Sequence, residues 1–160
     1  MYNLLGEYDC KLDAKGRFLV PAGLRKQLPE DEQTDFVINR GLEECLVMYP
    51  MNEWEQEERK LLDRLNLYDP SDREFYRKMT YGGATLSLDK NGRLLIPKSL
   101  QKTVGINKDV VLFAFANRIE VWDANTFETN MDAGWQDLSA LAQKVMGNSN
   151  TDVSFAGICR

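Results

Sequence analysis

A short phrase that occurs twice limits the fold of this chain more than any other feature. Leu12-Asp13-Ala14-Lys15-Gly16-Arg17 returns 76 residues later as Leu88-Asp89-Lys90-Asn91-Gly92-Arg93. A proline follows each arginine four residues on, and leucines on both sides of that proline also recur. One module is therefore written twice, and the fold must accommodate two related halves.

Each copy predicts a strand, a tight turn, a second strand and a short helix that begins at the proline. Aspartate at the first turn position can accept a hydrogen bond from the backbone two residues on, and glycine at the fourth can adopt positive φ without steric cost. Proline is favoured in a first helical turn. A further hairpin follows in each half, over residues 36–49 and 110–122. The phrases after these hairpins match at an offset of 73, so the duplication extends over the whole half.

Helices are expected after each second hairpin. Residues 51–66 carry an apolar stripe at helical spacing, and residues 71–81 predict a second helix after a break at Asp69-Pro70-Ser71. We interpret the apolar stripes as core or as subunit contacts. The predicted domains are residues 1–81 for the first module with its helical pair, 82–135 for the second module, and 136–160 for a C-terminal helix and a loose tail.

The charges are distributed unevenly along a chain whose net charge is −5. Residues 11–26 carry five cations and one acid, and residues 89–108 again carry five cations and one acid, which gives +4 for each segment. Residues 30–74 carry fourteen acids and five cations, a net −9. Two basic patches at related places on an acidic body indicate that one face meets an anionic polymer.

Composition argues against several other classes of protein. Histidine, the commonest general base and metal ligand, is absent. Cys10, Cys45 and Cys159 are odd in number and far apart in sequence, so neither a disulfide framework nor a zinc site is indicated, and we expect reduced thiols. No apolar run is long enough to span a bilayer, and the first residues lack the pattern of a signal peptide. We expect a cytoplasmic protein with no cofactor and no membrane partner.

The duplicated turns supply the candidate binding residues. Asp13 and Asp89 lie four residues before Arg17 and Arg93, close enough across the turn to orient each guanidinium group. A fixed planar fork of donors suits a phosphate or a guanine edge. A charged residue after a turn is usually only solvated, but backbone geometry does not require arginine at the same place twice. The sequence therefore predicts a DNA-binding site of Asp13, Lys15, Arg17, Asp89, Lys90 and Arg93, in which the lysines contact phosphates.

The same residues carry a resemblance to a known family. Both Leu-Asp-x-x-Gly-Arg turns with their prolines, together with the phrases at residues 6–8, 40–43, 48–50, 82–84 and 117–123, occur in the order and at the distances typical of MraZ proteins. The chain resembles this family of bacterial regulators over roughly residues 3–135. Residues 136–160 are longer than we expect the family core to require.

The resemblance implies a fold and a function. The fold is α+β, a pseudo-twofold β-barrel of interleaved hairpins from two AbrB-like (SpoVT-type) modules of the swapped-hairpin kind, with flanking helices. The function is a nucleoid-associated transcription regulator, in most members a repressor, of the division and cell-wall gene cluster. It binds direct repeats of double-stranded DNA in its own promoter as a ring-shaped homo-oligomer. The family's Asp-x-x-x-Arg motif falls on Asp13 and Arg17 and on Asp89 and Arg93.

Two alternatives remain at this stage. The acidic helical pair around residues 51–79 could bind a protein partner, which would make the chain an interaction scaffold. An enzyme is less consistent with the sequence, because paired carboxylates such as Glu43-Glu44 and Glu57-Glu58 point apart on a strand or helix. The sequence also contains no glycine-rich phosphate loop, nucleophile elbow or metal-ligand spacing.

Overall fold

The computed structural model describes residues 3–132 and 134–147. By its internal contacts the chain forms two compact units, residues 1–127 and residues 128–160. The elements are β1 (Leu4–Lys11), β2 (Arg17–Leu19), α1 (Ala22–Arg25), β3 (Asp35–Arg40), β4 (Leu46–Pro50), α2 (Met51–Arg64), α3 (Pro70–Thr80), β5 (Ala84–Ser87), β6 (Arg93–Leu95), α4 (Lys98–Val104), β7 (Asp109–Ala116), β8 (Arg118–Asp123), α5 (Ala124–Met131) and α6 (Trp135–Met146).

The strands of the two repeats pair with each other in an antiparallel arrangement. Six strands form one sheet in the order β1-β7-β8-β4-β3-β5, and β2 and β6 form a separate two-stranded ribbon. The first strand of each repeat therefore joins the second hairpin of the other repeat: β1 pairs with β7, and β5 pairs with β3. In the ribbon Phe18 lies opposite Leu94, while Arg17 lies opposite Leu95 and Leu19 lies opposite Arg93. These pairings interchange under a twofold rotation through Phe18 and Leu94.

The structure confirms the α+β class, with an antiparallel sheet and several helices, but not a closed barrel. The six-stranded sheet is open, with β1 and β5 at its edges. The strands that follow these edges, β2 and β6, bond to each other and are only three residues long. Few backbone hydrogen bonds are available to join the ribbon to the sheet edges, so the pairing does not close.

Apolar side chains pack on both faces of the sheet, since successive residues of a strand point to opposite faces. On β4, Leu46 and Met48 belong to the main apolar core. Cys45, immediately before that strand, packs on the other side in a smaller cluster with Trp122 and Phe127. Phe18 and Leu94, the central residues of the ribbon, are 1% and 0% exposed, so the ribbon is fixed to the main core by its inner face.

The helices predicted between the repeats match α2 and α3 within two residues at each end. Proline opens both helices: Pro50 precedes α2, and Pro70 occupies the first turn of α3 behind the cap residue Asp69, which accepts the N–H of Ser71. The short helix expected to begin at Pro21 is α1, which covers only Ala22–Arg25.

The second unit contributes α6, whose apolar side chains Leu138, Leu141 and Val145 are exposed. The loose tail predicted after the C-terminal helix falls almost wholly outside the described residues, which end at residue 147. None of the helices within the described ranges combines the length and the apolar character that a membrane span needs.

Candidate nucleic-acid interface

The first turn owes its shape to Asp13. Its Oδ1 accepts the backbone N–H groups of Lys15 and Arg17, each at 2.9 Å, and its carbonyl oxygen accepts the N–H of Gly16 at 3.0 Å. Gly16 has a backbone φ of 88°, which residues with a Cβ rarely adopt. The aspartate and the glycine are therefore both required for this turn, as the sequence predicted.

The second turn reproduces the first bond for bond. Asp89 Oδ1 accepts the N–H groups of Asn91 and Arg93, each at 2.9 Å, and Gly92 donates to the Asp89 carbonyl at 3.0 Å with φ of 77°. The two lysines, in contrast, are not repeated at equivalent positions. Lys15 corresponds to Asn91 in the repeat, and Lys90 corresponds to Ala14, so these exposed cations occupy non-equivalent positions on their turns.

The carboxylate contact expected across each turn is present. Arg17 Nε lies 2.8 Å from Asp13 Oδ2, and Arg93 Nε lies 3.1 Å from Asp89 Oδ2. The backbone N–H of each arginine is the largest cause that lowers the pKa of its aspartate. Together with the guanidinium group and the other turn amide it outweighs desolvation and holds that pKa below its ordinary value. The aspartates are therefore ionised at neutral pH.

The two guanidinium groups also come together. Arg93 Nη1 lies 3.6 Å from the same Asp13 Oδ2 that receives Arg17, so Asp13 contacts both arginines. The arginine side chains are 29% and 28% exposed, which leaves them accessible at the outer face of the ribbon. Each arginine meets the aspartate of its own turn through Nε, so its terminal amino groups, apart from the contact of Arg93 Nη1 with Asp13, are available to a ligand. The geometry can present two oriented cations to one anionic surface.

Two further residues adjoin the turns and were not identified from the sequence. Arg25 on α1 places Nη1 beside Gly92 of the opposite turn, 3.3 Å from where a Cβ would stand. Its counterpart in the repeat, Gln101 on α4, packs against Gly16 and donates from Nε2 to the carbonyl of Ile96 at 2.8 Å. Arg25 and Gln101 occupy equivalent positions in the two repeats, 76 residues apart. Each reaches the turn of the other repeat only because the strands of the two repeats pair with each other. Position 25 therefore places a cation beside the second turn, whereas position 101 places a neutral amide beside the first.

One group of metal-ligating residue types lies away from the turns. Glu43, Cys45 and Glu120 bring one ligand atom each within 4.8 Å of one another. Burial, followed by the charges of Glu120 and Glu43, raises the pKa of the Cys45 thiol to about 12. Exposed carboxylates such as Glu43 often lie near other ligand groups without a metal ion, and we assign no metal site to this group.

The α2–α3 helical pair carries a second surface feature. A groove along it is lined by apolar side chains together with charged residues of α2. Leu42 and Phe75 at this groove are 85% and 42% exposed. Exposed apolar area of this kind is typical of a protein contact surface. The apolar residues of the groove are Leu42, Tyr49, Trp54, Leu61, Phe75 and Met79.

Comparison with known proteins identifies the family. A family model described as "MraZ protein, putative antitoxin-like" matches twice, at residues 4–78 and 79–145. The second match ends ten residues beyond the resemblance found in the sequence and includes most of α6. The chain is 43% identical over 153 residues to "Transcriptional regulator MraZ" of Christiangramia forsetii, covering 95% of this chain and 98% of that protein.

Other relatives and one solved structure are also similar. Proteins with the same name from Flavobacterium psychrophilum and Clostridium tetani are 40% and 39% identical, over 95% and 88% of this chain and 97% and 95% of theirs. The solution structure of PHS018 from Pyrococcus horikoshii covers 75% of this chain and 89% of its own, with 17% identity and a TM-score of 0.31, too low to support any argument. From the two family matches and these relatives, the chain belongs to the MraZ family of transcriptional regulators.

Proposed function

We propose that the chain regulates transcription by binding double-stranded DNA through the outer face of the β2–β6 ribbon and its two turns. The observation that carries this proposal is the convergence of Arg17 and Arg93 on Asp13, which holds two cations side by side at an accessible face. The two arginines contact base edges or phosphates, and Asp13 and Asp89 orient them. The exposed Lys15 and Lys90 contact phosphates.

The target we propose is the promoter of the division and cell-wall gene cluster that includes this chain's own gene. The chain acts there as a repressor and binds short direct repeats. Such a regulator works in the cytoplasm, at the nucleoid. These points rest on the family to which the chain belongs and on the printed name of its relatives, "Transcriptional regulator MraZ".

Assembly into a ring is part of the same proposal. Identical subunits that join head to tail close into rings when the rotation between them permits. The exposed apolar residues along the α2–α3 groove support such a contact. A ring that carries one basic ribbon per subunit gains avidity from repeated DNA sites, because each further contact is intramolecular.

We also infer that the ribbon caps the sheet into a pseudo-twofold barrel. The N–H of Leu12 donates to the carbonyl of Lys108 and the N–H of Leu88 donates to the carbonyl of Thr34, each at 2.8 Å. The strands β1 and β5 therefore remain bonded to their neighbours up to the turns that lead into the ribbon.

The division of the chain into domains of residues 1–81, 82–135 and 136–160 stays a proposal, to be tested by limited proteolysis.

The test is a fluorescence anisotropy titration with the promoter fragment that precedes this chain's gene. Arg17→Ala and Arg93→Ala should each weaken binding by about 5-fold to 150-fold, the range for removal of one specific arginine interaction. Arg59→Ala, which removes an exposed arginine from α2, is the matched control and should bind as the unaltered chain does. Unchanged affinity in the Arg17→Ala, Arg93→Ala double variant would refute the proposal.

An interaction scaffold is the second candidate, because Leu42 and Phe75 expose apolar surface at the helical pair. It predicts no salt-sensitive affinity for DNA. It also predicts a partner that co-purifies with the unaltered chain and is absent with Phe75→Ser. A titration over a range of salt concentrations separates the two functions, since phosphate contacts make DNA affinity fall steeply with salt.

A further inference from the structure

The outer face of the β2–β6 ribbon carries two leucines as well as two arginines. Side chains alternate along each strand, so Phe18 and Leu94 point inward while their neighbours point outward. Leu19 is 62% exposed and Leu95 is 50% exposed. Leu95 lies directly opposite Arg17, and Leu19 lies directly opposite Arg93. The outward face thus consists of two Arg–Leu pairs related by the pseudo-twofold axis.

A single exposed leucine needs no explanation, but this arrangement differs from a scattered one. The same apolar residue recurs at the same place in both repeats, and each time it stands across the ribbon from an arginine. Leu19 also lines a shallow surface with Arg25, the last residue of α1, and Lys26, which follows it. Apolar branches set among cations fit a partner that is anionic yet exposes small apolar groups. A protein contact of purely apolar character would desolvate the Arg17–Asp13 and Arg93–Asp89 ion pairs together with the nearby Arg25 and Lys26.

The major groove of DNA meets these requirements. A two-stranded ribbon fits within its width of about 12 Å, since paired strands lie only about 4.8 Å apart. In that groove guanine offers two acceptors to a guanidinium group, and thymine offers an apolar C5-methyl group. Directly opposed side chains have Cβ atoms about 4.5–5.5 Å apart, so one Arg–Leu pair spans about one to two base steps of 3.4 Å.

We propose that Leu19 and Leu95 are specificity-determining residues that contact thymine methyl groups in the major groove, beside the bases contacted by Arg93 and Arg17. The inference deepens the proposed function and rests on it. The arginines and lysines supply most of the affinity, much of it independent of sequence, and the leucines supply preference for sites with thymine at the right steps. The pseudo-twofold axis relates the two Arg–Leu pairs. Each pair therefore contacts one strand of the duplex, and the two contacted sequences run in opposite directions.

The test removes the methyl groups from the DNA and the leucine branches from the protein. The promoter fragment is amplified once with dTTP and once with dUTP, which replaces thymine with uracil and deletes the C5-methyl groups of the amplified strands. The unaltered chain should bind the uracil fragment more weakly, by about fourfold for each methyl contacted, the value of one buried methyl-sized group. The Leu19→Ala, Leu95→Ala double variant should bind the thymine fragment more weakly and should not distinguish the two fragments.

Controls separate this result from other roles of the leucines. Leu67→Ala removes a leucine that is 51% exposed in the α2–α3 connection, and it should retain the full preference for thymine. Light scattering should give the same assembly size for the double leucine variant as for the unaltered chain. A change in assembly size while the thymine preference persists would overturn the inference in favour of a contact between subunits.

The remaining outcomes distinguish this inference from the proposed function. If Arg17→Ala weakens binding while the leucine variant retains the thymine preference, the leucine inference fails and the proposed function stands. If the unaltered chain shows no salt-sensitive affinity for either fragment, both fail. A thymine preference equal in the unaltered chain and the double variant would assign the preference to DNA stiffness and not to the leucines.

Discussion

Three glycines with left-handed backbone provide a graded test of how the turns are supported. Gly16, Gly92 and Gly105 have φ of 88°, 77° and 68°. A Cβ at Gly105 would meet no atom within 4 Å, and one at Gly92 would approach Arg25 Nη1 at 3.3 Å. A Cβ at Gly16 would overlap Gln101 Nε2. The backbone strain is similar at the three positions, whereas the space around them is not.

The magnitudes follow from these environments. Alanine in the left-handed region costs about 1–2 kcal/mol, which should be the whole destabilisation for Gly105→Ala. Gly92→Ala should cost about the same, because the Arg25 terminus is flexible and can move by a few tenths of an ångström. Gly16→Ala should cost about 1 kcal/mol more, since it displaces Gln101 from its hydrogen bond with the carbonyl of Ile96. For a chain of this size that difference lowers Tm by a further 2–4 °C, roughly.

The assay is thermal and denaturant unfolding at one fixed protein concentration, because assembly stabilises the folded state by mass action. A double-mutant cycle isolates the contact: in a Gln101→Ala background the extra cost of Gly16→Ala should disappear. If Gly16→Ala costs no more than Gly105→Ala, or if the extra cost persists without Gln101, the crossed packing of α4 against the first turn is wrong. The same variant should also weaken DNA binding, because Arg17 follows directly on that turn.

Three other predictions concern the turn lysines, the Asp13 carboxylate and the Cys45 thiol. Lys15→Ala with Lys90→Ala should reduce the salt dependence of DNA affinity by about 0.9 log unit per log unit of salt for each phosphate that the two lysines bind, measured by anisotropy; an unchanged slope would show that these lysines do not bind phosphates. The pKa of Asp13 is depressed in the folded chain, so its stabilising effect is complete above its ordinary value of 3.8 and is lost as pH falls below that value; the stability gap between the unaltered chain and Asp13→Asn should narrow in that range and stay constant near neutral pH. Burial raises the pKa of Cys45 to about 12, so iodoacetamide should label Cys45 much more slowly in the folded chain than in urea at the same mildly alkaline pH, as followed by peptide mass; equal rates would contradict the burial of this thiol.

Much of the candidate site was predictable because its chemistry is local. The bonds that shape each turn join residues no more than four positions apart, from Asp13 to Arg17 and from Asp89 to Arg93. Amino-acid type and spacing specify such bonds without knowledge of the rest of the fold. The bounds of α2 and α3 were predictable for a similar reason, since proline and an apolar stripe are also local features.

The sequence alone established the duplication, the turn geometry, the uneven charge and the resemblance to the MraZ family. The comparisons confirmed the family. Only the tertiary structure decided which strand each repeat lends to the other, and with it the convergence of Arg17 and Arg93 on one aspartate oxygen. It also decided that Gln101 supports the first turn and that Leu19 and Leu95 face outward. The physical reason is that strand pairing follows from burying residues such as Phe18 and Leu94, which lie 76 positions apart in sequence and meet only when the whole core forms.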